Sequence, residues 1–169
     1  MLPPPEQLKS SIEHAVPGVA VGLDGGALLI EAKDLLQVCR YLQHHDPLSL
    51  DYVANLTAVD YAQERRMDVV YHLYSMAQRH GPVTLRVRLD RDHPVVPSVT
   101  PLWRGAEFQE REAYDLFGVR FEGHPDLRRI LMWEGFKGHP MRKDYVVEDQ
   151  DAPAGASPVP AAPGPGAPA

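Results

Sequence analysis

The segment VTLRVRL, residues 83–89, decides the fold because its apolar and polar residues alternate without a break. In an extended strand, successive side chains point to opposite faces of a sheet. We therefore expect the four apolar residues of this segment to face a core, and the polar residues between them to face water or a partner. This pattern predicts a half-buried β-strand.

Four other segments are strand candidates. Residues 52–60 (YVANLTAVD) and 67–76 (MDVVYHLYSM) are rich in β-formers and carry apolar groups on both faces. Residues 19–24 (VAVGLD) and 27–32 (ALLIEA) flank the pair Gly25-Gly26, which indicates two strands joined by a tight turn.

Helices are predicted where apolar residues recur every three or four positions. Residues 6–15 form one such segment, ended by Pro17-Gly18, and residues 32–45 form another, ended by Asp46-Pro47. A third helix is expected near 101–117, with Gly118 as its left-handed cap.

The element order predicts an α+β fold. It is a two-layer α/β domain in the order α-β-β-α-β-β-β, with a mainly antiparallel or mixed sheet and helices on one face, followed by a helix and a long irregular C-terminal extension. We expect residues 1–118 to form the main domain and residues 119–147 to be an ordered, irregular part of it. Residues 148–169 form a tail that, from position 151 onward, is Ala, Pro or Gly at all but three positions, a composition typical of disorder.

Composition excludes several classes of function. The formal net charge is −6 with no polybasic run, which argues against a nucleic-acid partner. Cys39 is the only cysteine, so neither an internal disulfide nor a Cys-ligated iron–sulfur cluster can form, and we interpret Cys39 as a small core residue. Neither an apolar run long enough to span a membrane nor a secretory signal is found, and we expect a cytosolic chain or one attached to a membrane only through partners.

Residues 123–145, GHPDLRRILMWEGFKGHPMRKDY, contain Gly-His-Pro twice. His124 and His139 could in principle meet as metal ligands, but no zinc-type spacing is present. Glycine permits unusual backbone angles and proline restricts its neighbour, so a sharp turn is the favoured interpretation of both copies. Two basic pairs, residues 128–129 and 142–143, have acidic residues close by, which favours ion pairing within the chain or to a partner.

Glu110 lies on the apolar stripe of the third helix. A buried carboxylate is costly unless it is paired, and the available cations are Arg111, Arg128 and Arg129. We expect an ion-pair network that pins the extension to the helix, and Arg128→Ala to impair folding or assembly. A catalytic pair with Glu112 is disfavoured, because side chains two positions apart on a helix diverge by roughly 200°.

No phosphate-binding loop and no nucleophile motif is present. The aromatic residues and arginines of the extension are types favoured at the centres of interfaces. A binding or assembly role is therefore favoured over a free-standing enzyme that would use Glu110, His124 and His139.

The stretch EREAYDLFGVRFEGHPDLRRILM, residues 110–132, closely resembles the signature of the thirty-kilodalton subunit of respiratory complex I, which carries the letter C in bacterial NADH-quinone oxidoreductase. GFKGHPMRKDY, residues 135–145, is similar to the closing motif of that family, and PSVTPLW, residues 97–103, to its lead-in. The resemblance covers about residues 5–147. The positions it carries over, as structural or partner-interface residues, are Glu110, Arg111, Glu112, Asp115, Gly118, Gly123, His124, Pro125, Arg128, Arg129, Gly138, His139, Pro140, Arg142, Lys143 and Asp144.

The resemblance implies a subunit of the peripheral arm that binds no cofactor itself. The partners implied are the forty-nine-kilodalton-type subunit, lettered D in bacteria, and the iron–sulfur subunits lettered B and I. The complex passes electrons from NADH through FMN and iron–sulfur clusters to quinone and pumps protons. The implied location is peripheral, on the cytoplasmic face of the bacterial plasma membrane. The alternative is the equivalent subunit of a ferredoxin-dependent relative or of a membrane-bound [NiFe] hydrogenase.

Overall fold

A five-stranded mixed sheet lies at the centre of the structure, a computed structural model that describes residues 2–147. The elements in chain order are α1 (Pro5–Ala15), β1 (Val21–Asp24), β2 (Ala27–Ile30), α2 (Leu35–His44), β3 (Tyr52–Tyr61), β4 (Arg66–Ser75), β5 (His80–Asp90), β6 (Val95–Pro97), α3 (Ala106–Phe117) and β7 (Arg120–Glu122). The large sheet has the order β1-β2-β5-β4-β3, and only β2 and β5 pair in parallel. The α+β prediction is confirmed.

The alternating segment forms the central strand β5. Leu85 lies opposite Tyr71 of β4 and Leu28 of β2, and all three side chains are buried. Their shared face packs on α1 and α2, which contribute Ile12, Cys39 and other apolar residues to the core. Within residues 2–147, no helix covers the opposite face of the sheet, as expected for two layers.

Cys39 is confirmed as a core residue. It is fully buried, and burial raises the pKa of its thiol above the ordinary value. Among residues 2–147, no helix is long and apolar enough to cross a membrane.

Side chains from helices close part of each free edge of the sheet. At β1, Glu13 Oε1 accepts a hydrogen bond from Val21 N at 2.9 Å, and Lys9 Nζ donates to Val21 O at 2.5 Å. At β3, Leu56 N donates to Gln109 Oε1 at 2.5 Å. These contacts occupy backbone groups that would otherwise offer a template for strand pairing.

Three details differ from the sequence prediction. Residues 32–34 form a single 3-10 turn before α2. Helix α3 begins only at Ala106, because residues 99–105 form turns around the buried Trp103. The short strands β6 and β7 pair in parallel, so residues 120–122 are not irregular. Residues 123–147 contain neither helix nor strand, and the predicted tail lies outside the described residues.

Candidate functional site

The C-terminal extension, residues 123–147, completes the last turn of α3. An α-helix leaves its last four carbonyl groups without partners inside the helix. Here the carbonyls of residues 114–117 all find donors. The donors are, in order, the backbone N–H of Gly118, Nδ1 of His139, the backbone N–H of Met141 and Nε of Arg142, at 2.9, 2.9, 3.1 and 2.6 Å. The second Gly-His-Pro segment is therefore part of the helix cap.

Gly118 sits where the helix and the extension meet. Its φ of +78° is the left-handed conformation predicted for the cap. A Cβ at this position would lie 2.7 Å from Nε2 of His139, so the close approach also requires glycine. Gly123 and Gly138, which open the two Gly-His-Pro copies, have φ values of +80° and +84°. These angles confirm the turn interpretation.

Both histidine rings bind backbone groups. His124 accepts a hydrogen bond from Asp126 N on Nδ1 at 3.0 Å, so its Nε2 donates to Glu107 O at 3.0 Å. His139 donates to Asp115 O, and burial, followed by the charges of nearby arginines, lowers its pKa. No group of three His, Cys, Asp or Glu side chains in residues 2–147 is arranged to hold a metal ion.

Asp115 is the carboxylate that pins the extension to α3. Its side chain is fully buried and lies 2.7 Å from Arg129 Nη1. Its Oδ2 accepts hydrogen bonds from the backbone N–H groups of residues 130, 131 and 132 at 3.0, 2.8 and 2.8 Å. Burial disfavours ionisation, but these donors and Arg129 outweigh it and hold the pKa of Asp115 below its ordinary value. The expected network exists, with Asp115 at its centre.

Glu110 does not belong to that network, and its predicted pairing with an arginine is wrong. It is fully buried, and its carboxylate accepts hydrogen bonds from Ser98 Oγ at 2.6 Å and Val99 N at 2.7 Å. Burial raises its pKa from 4.5 to about 7, against the opposing effect of these two donors. Glu112 is exposed on another side of the helix, so the two carboxylates cannot act as a catalytic pair.

The three candidate arginines have separate roles. Arg111 is buried and donates from Nε and Nη2 to the carbonyls of Arg128 and Arg129, at 3.1 and 3.0 Å. The side chain of Arg128 is 69% exposed and pairs with Asp126. Only Arg129 meets a buried carboxylate, so the destabilisation predicted for Arg128→Ala belongs to Arg129.

Arg91 ties the end of the extension to the sheet. Its guanidinium binds Asp60 at 2.6 and 2.9 Å and Asp144 at 3.1 and 2.7 Å, and Lys143 N donates to Asp60 at 2.8 Å. Sequence reasoning identified Asp144 and Lys143 but missed Arg91 and Asp60. Charged residues at strand ends are common, and nothing in their local pattern indicates that they meet.

The outward surface of the extension is apolar and aromatic. Trp133 packs edge-on against Phe136 with 4.7 Å between ring centroids, and Arg129 lies 5.6 Å from the Phe136 ring centroid. The exposed large apolar residues are Ile130 at 37%, Leu131 at 57%, Trp133 at 46%, Met141 at 55%, Val146 at 73% and Val147 at 87%. Several predicted site residues of the extension are also exposed, namely Gly123, Pro125, Arg128, Gly138, Lys143 and Asp144, and Pro140 is half-buried.

Comparison with known proteins identifies the family. Residues 28–151 match the family described as respiratory-chain NADH dehydrogenase, 30 kDa subunit. The NADH-quinone oxidoreductase subunit lettered C of Moorella thermoacetica is 46% identical over 132 residues, which cover 78% of this chain and 87% of that protein. The trypsin-resistant fragment of Nqo5 has a solved structure with a TM-score of 0.53 and 28% identity, covering 72% of this chain and 98% of that one.

A chain in the structure of an archaeal membrane-bound sulfane sulfur reductase has a TM-score of 0.66 at 23% identity, covers 83% of this chain and 85% of its own length, and shares the fold. The family match begins within β2 and spans β3, β4, β5, α3 and the extension, including both Gly-His-Pro turns. The chain belongs to the family of the 30 kDa subunit of respiratory-chain NADH dehydrogenase.

Proposed function

We propose that this chain is an assembly subunit of the peripheral arm of NADH-quinone oxidoreductase and that it binds no cofactor itself. Its extension binds the quinone-reducing part of the complex. Family membership makes the chain a subunit of NADH-quinone oxidoreductase, which works together with other subunits of that complex.

The proposal rests on how the extension distributes its polar and apolar groups. Arg129 and His139 of the extension bind Asp115 of α3, so its most buried polar contacts are made within this chain. Its apolar side chains, including Leu131 and Trp133, are left exposed. A rigid scaffold that presents aromatic and aliphatic groups outward is suited to forming the centre of a protein interface.

In this role the chain supports electron transfer without carrying electrons. The proposed neighbours are the forty-nine-kilodalton-type subunit, lettered D, and the iron–sulfur subunits lettered B and I, while FMN, iron–sulfur clusters and quinone are bound by other chains. The complex would hold this subunit on the cytoplasmic face of the bacterial plasma membrane.

Affinity purification of the tagged full-length chain from gently solubilised membranes tests the proposal. We expect these three neighbouring subunits to co-purify together with flavin and iron–sulfur absorbance, and the isolated chain to be colourless. Trp133→Ala and Leu131→Ala should reduce recovery of the partners. The matched control is Met76→Ala, which removes an apolar side chain that is 65% exposed in the turn after β4.

Stoichiometric flavin or cluster in the isolated chain would refute the proposal. An assembly without NADH-oxidising flavin subunits, reduced by ferredoxin or hydrogen, would instead support the alternative of an equivalent subunit in a related complex.

A further inference from the structure

Arg142 lines an open pocket at the end of the extension. The pocket has a volume of about 490 Å³, and its wall includes Lys137, His139, Tyr145 and Val146. Nε of Arg142 donates to Phe117 O at 2.6 Å, which fixes the guanidinium against the end of α3. The half-buried guanidinium is therefore held in one place, although only one of its nitrogens makes that contact.

This guanidinium forms no ion pair within the part of the chain that the structure describes. No carboxylate of residues 2–147 lies within ion-pairing distance of Arg142. Asp144 also lines the pocket, but both of its oxygens are bound by Arg91. Asp115 is engaged with Arg129 and three backbone N–H groups.

The surroundings of the pocket favour a negative ligand. Burial, and after it the positive charge of Arg142, lowers the pKa of His139, so the Arg142 guanidinium lies close to the His139 ring of the pocket wall. Lys137 contributes a further positive charge to the wall.

Exposed apolar side chains lie next to Arg142 on the pocket wall and in the chain. Val146 is 73% exposed and Met141, next to Arg142 in the chain, is 55% exposed. A fixed cation accompanied by exposed apolar side chains matches the usual composition of a protein interface, in which arginine and methionine are enriched.

We propose that this pocket binds a carboxylate of a partner protein, presented by an Asp or Glu side chain that is flanked by apolar residues. A guanidinium has a forked geometry that matches the two oxygens of a carboxylate. The inference rests on the proposed function, since the partner is another subunit of the same complex, and it adds the chemistry of one contact.

Zero-length carbodiimide cross-linking of the purified complex tests the pocket directly, because it joins a lysine amine to a carboxylate in contact with it. We expect mass spectrometry to find Lys137 linked to an Asp or Glu of another subunit. Cross-links of Lys137 only within the chain would overturn the inference.

A charge series at position 142 supplies the second test. Arg142→Gln and Arg142→Lys both disturb the contact with Phe117 O, but only the lysine variant keeps the charge. We expect Arg142→Gln to weaken association with the complex on the order of thirtyfold, with Arg142→Lys retaining most of the affinity. Arg40→Gln, an exposed position on α2, is the matched control and should behave as the wild type.

Equal loss in the Gln and Lys variants would assign Arg142 a structural role only, and an unchanged Arg142→Gln would exclude the contact. Binding of the chain to anionic phospholipid vesicles through Arg142, with no protein cross-link, would replace the partner by a membrane. In these cases the proposed function stands if the three proposed neighbouring subunits still co-purify. If the wild-type chain retains no oxidoreductase subunit, the pocket inference and the proposed function both fail.

Discussion

Gly118 is the residue on which the junction between α3 and the extension depends. Its φ is positive, and a Cβ would meet the His139 ring. We expect Gly118→Ala to lower the free energy of unfolding by about 3 kcal/mol, because backbone strain and the displaced imidazole add together. Urea unfolding of the full-length chain measures the loss, and limited trypsin digestion should show earlier cleavage in residues 123–147.

Gly123→Ala is the matched control for this prediction. Gly123 has nearly the same φ, but a Cβ there would meet no atom within 4 Å. We expect Gly123→Ala to lower the free energy of unfolding by about 1 kcal/mol, from backbone strain alone. Equal effects of the two substitutions would contradict the idea that contact with His139 matters.

Glu110 gives the protein a pH-dependent stability. Its pKa is about 7 in the folded chain and near 4.5 when exposed, so the folded state binds the proton more tightly. The contribution of Glu110 to the free energy of unfolding is fully present below pH 4.5 and is lost as the pH rises from there through 7. The total change is about 3 kcal/mol. We expect Glu110→Gln to remove this slope.

The measurement is the difference in free energy of unfolding between the wild type and Glu110→Gln at pH 5, 6, 7 and 8. Taking the difference cancels the contributions of the other carboxylates. A difference that stays constant across this range would show that the Glu110 carboxyl titrates outside it.

At the scale of elements, adjacent arginines in the extension contribute unequally to its attachment. Arg129 is 23% exposed and neutralises the buried Asp115, whereas Arg128 is 69% exposed and meets only an exposed aspartate. Arg129→Ala should destabilise the chain on the order of 3 kcal/mol, because it leaves a buried carboxylate without its counter-ion. Arg128→Ala should leave the unfolding midpoint nearly unchanged.

Denaturant titrations of the two variants side by side provide the measurement. A loss for Arg129→Ala as small as the one for Arg128→Ala would mean that Asp115 is satisfied by its three backbone N–H donors alone. In that case the extension would be held mainly by the helix cap at residues 114–117.

For the whole molecule, Arg91 is the residue whose ion pairs join the sheet to the end of the extension. It bridges Asp60, at the end of β3, and Asp144, in the extension. Arg91→Ala should cost on the order of 3 kcal/mol and release residues 143–147 to proteolysis, because Asp60 remains buried without a counter-ion.

Asp144→Asn is the comparison for Arg91→Ala. The Asp144 side chain is 62% exposed, so water can solvate Arg91 when the carboxylate is removed. We expect a much smaller loss of stability but a similar loosening of the extension, seen as faster cleavage or faster amide exchange. If neither variant changes the protection of residues 143–147, the Arg91 bridge does not hold the extension.

The pattern of the chain was sufficient to predict most of the fold. Alternation in residues 83–89 and helical spacing in α1 and α2 reflect which faces must be buried, and burial is read locally from the period of the sequence. Strands β6 and β7 were missed because each has only three residues, too few to show a period, and they pair only because α3 brings them together. The start of α3 was misplaced because the turns before it depend on burial of Trp103.

The sequence by itself determined the α+β class, the core face of the sheet, the left-handed glycine cap and, through its long motif, the family. Only the tertiary structure decided which charges meet. It paired Arg129 with Asp115 rather than Glu110, and it brought Arg91 to Asp60 and Asp144. The spacing of apolar residues along the chain indicates which of them are buried, because burial follows the period of a helix or strand. The partner of a charged residue depends instead on where the fold places a segment that is distant in sequence, and no local pattern encodes that placement.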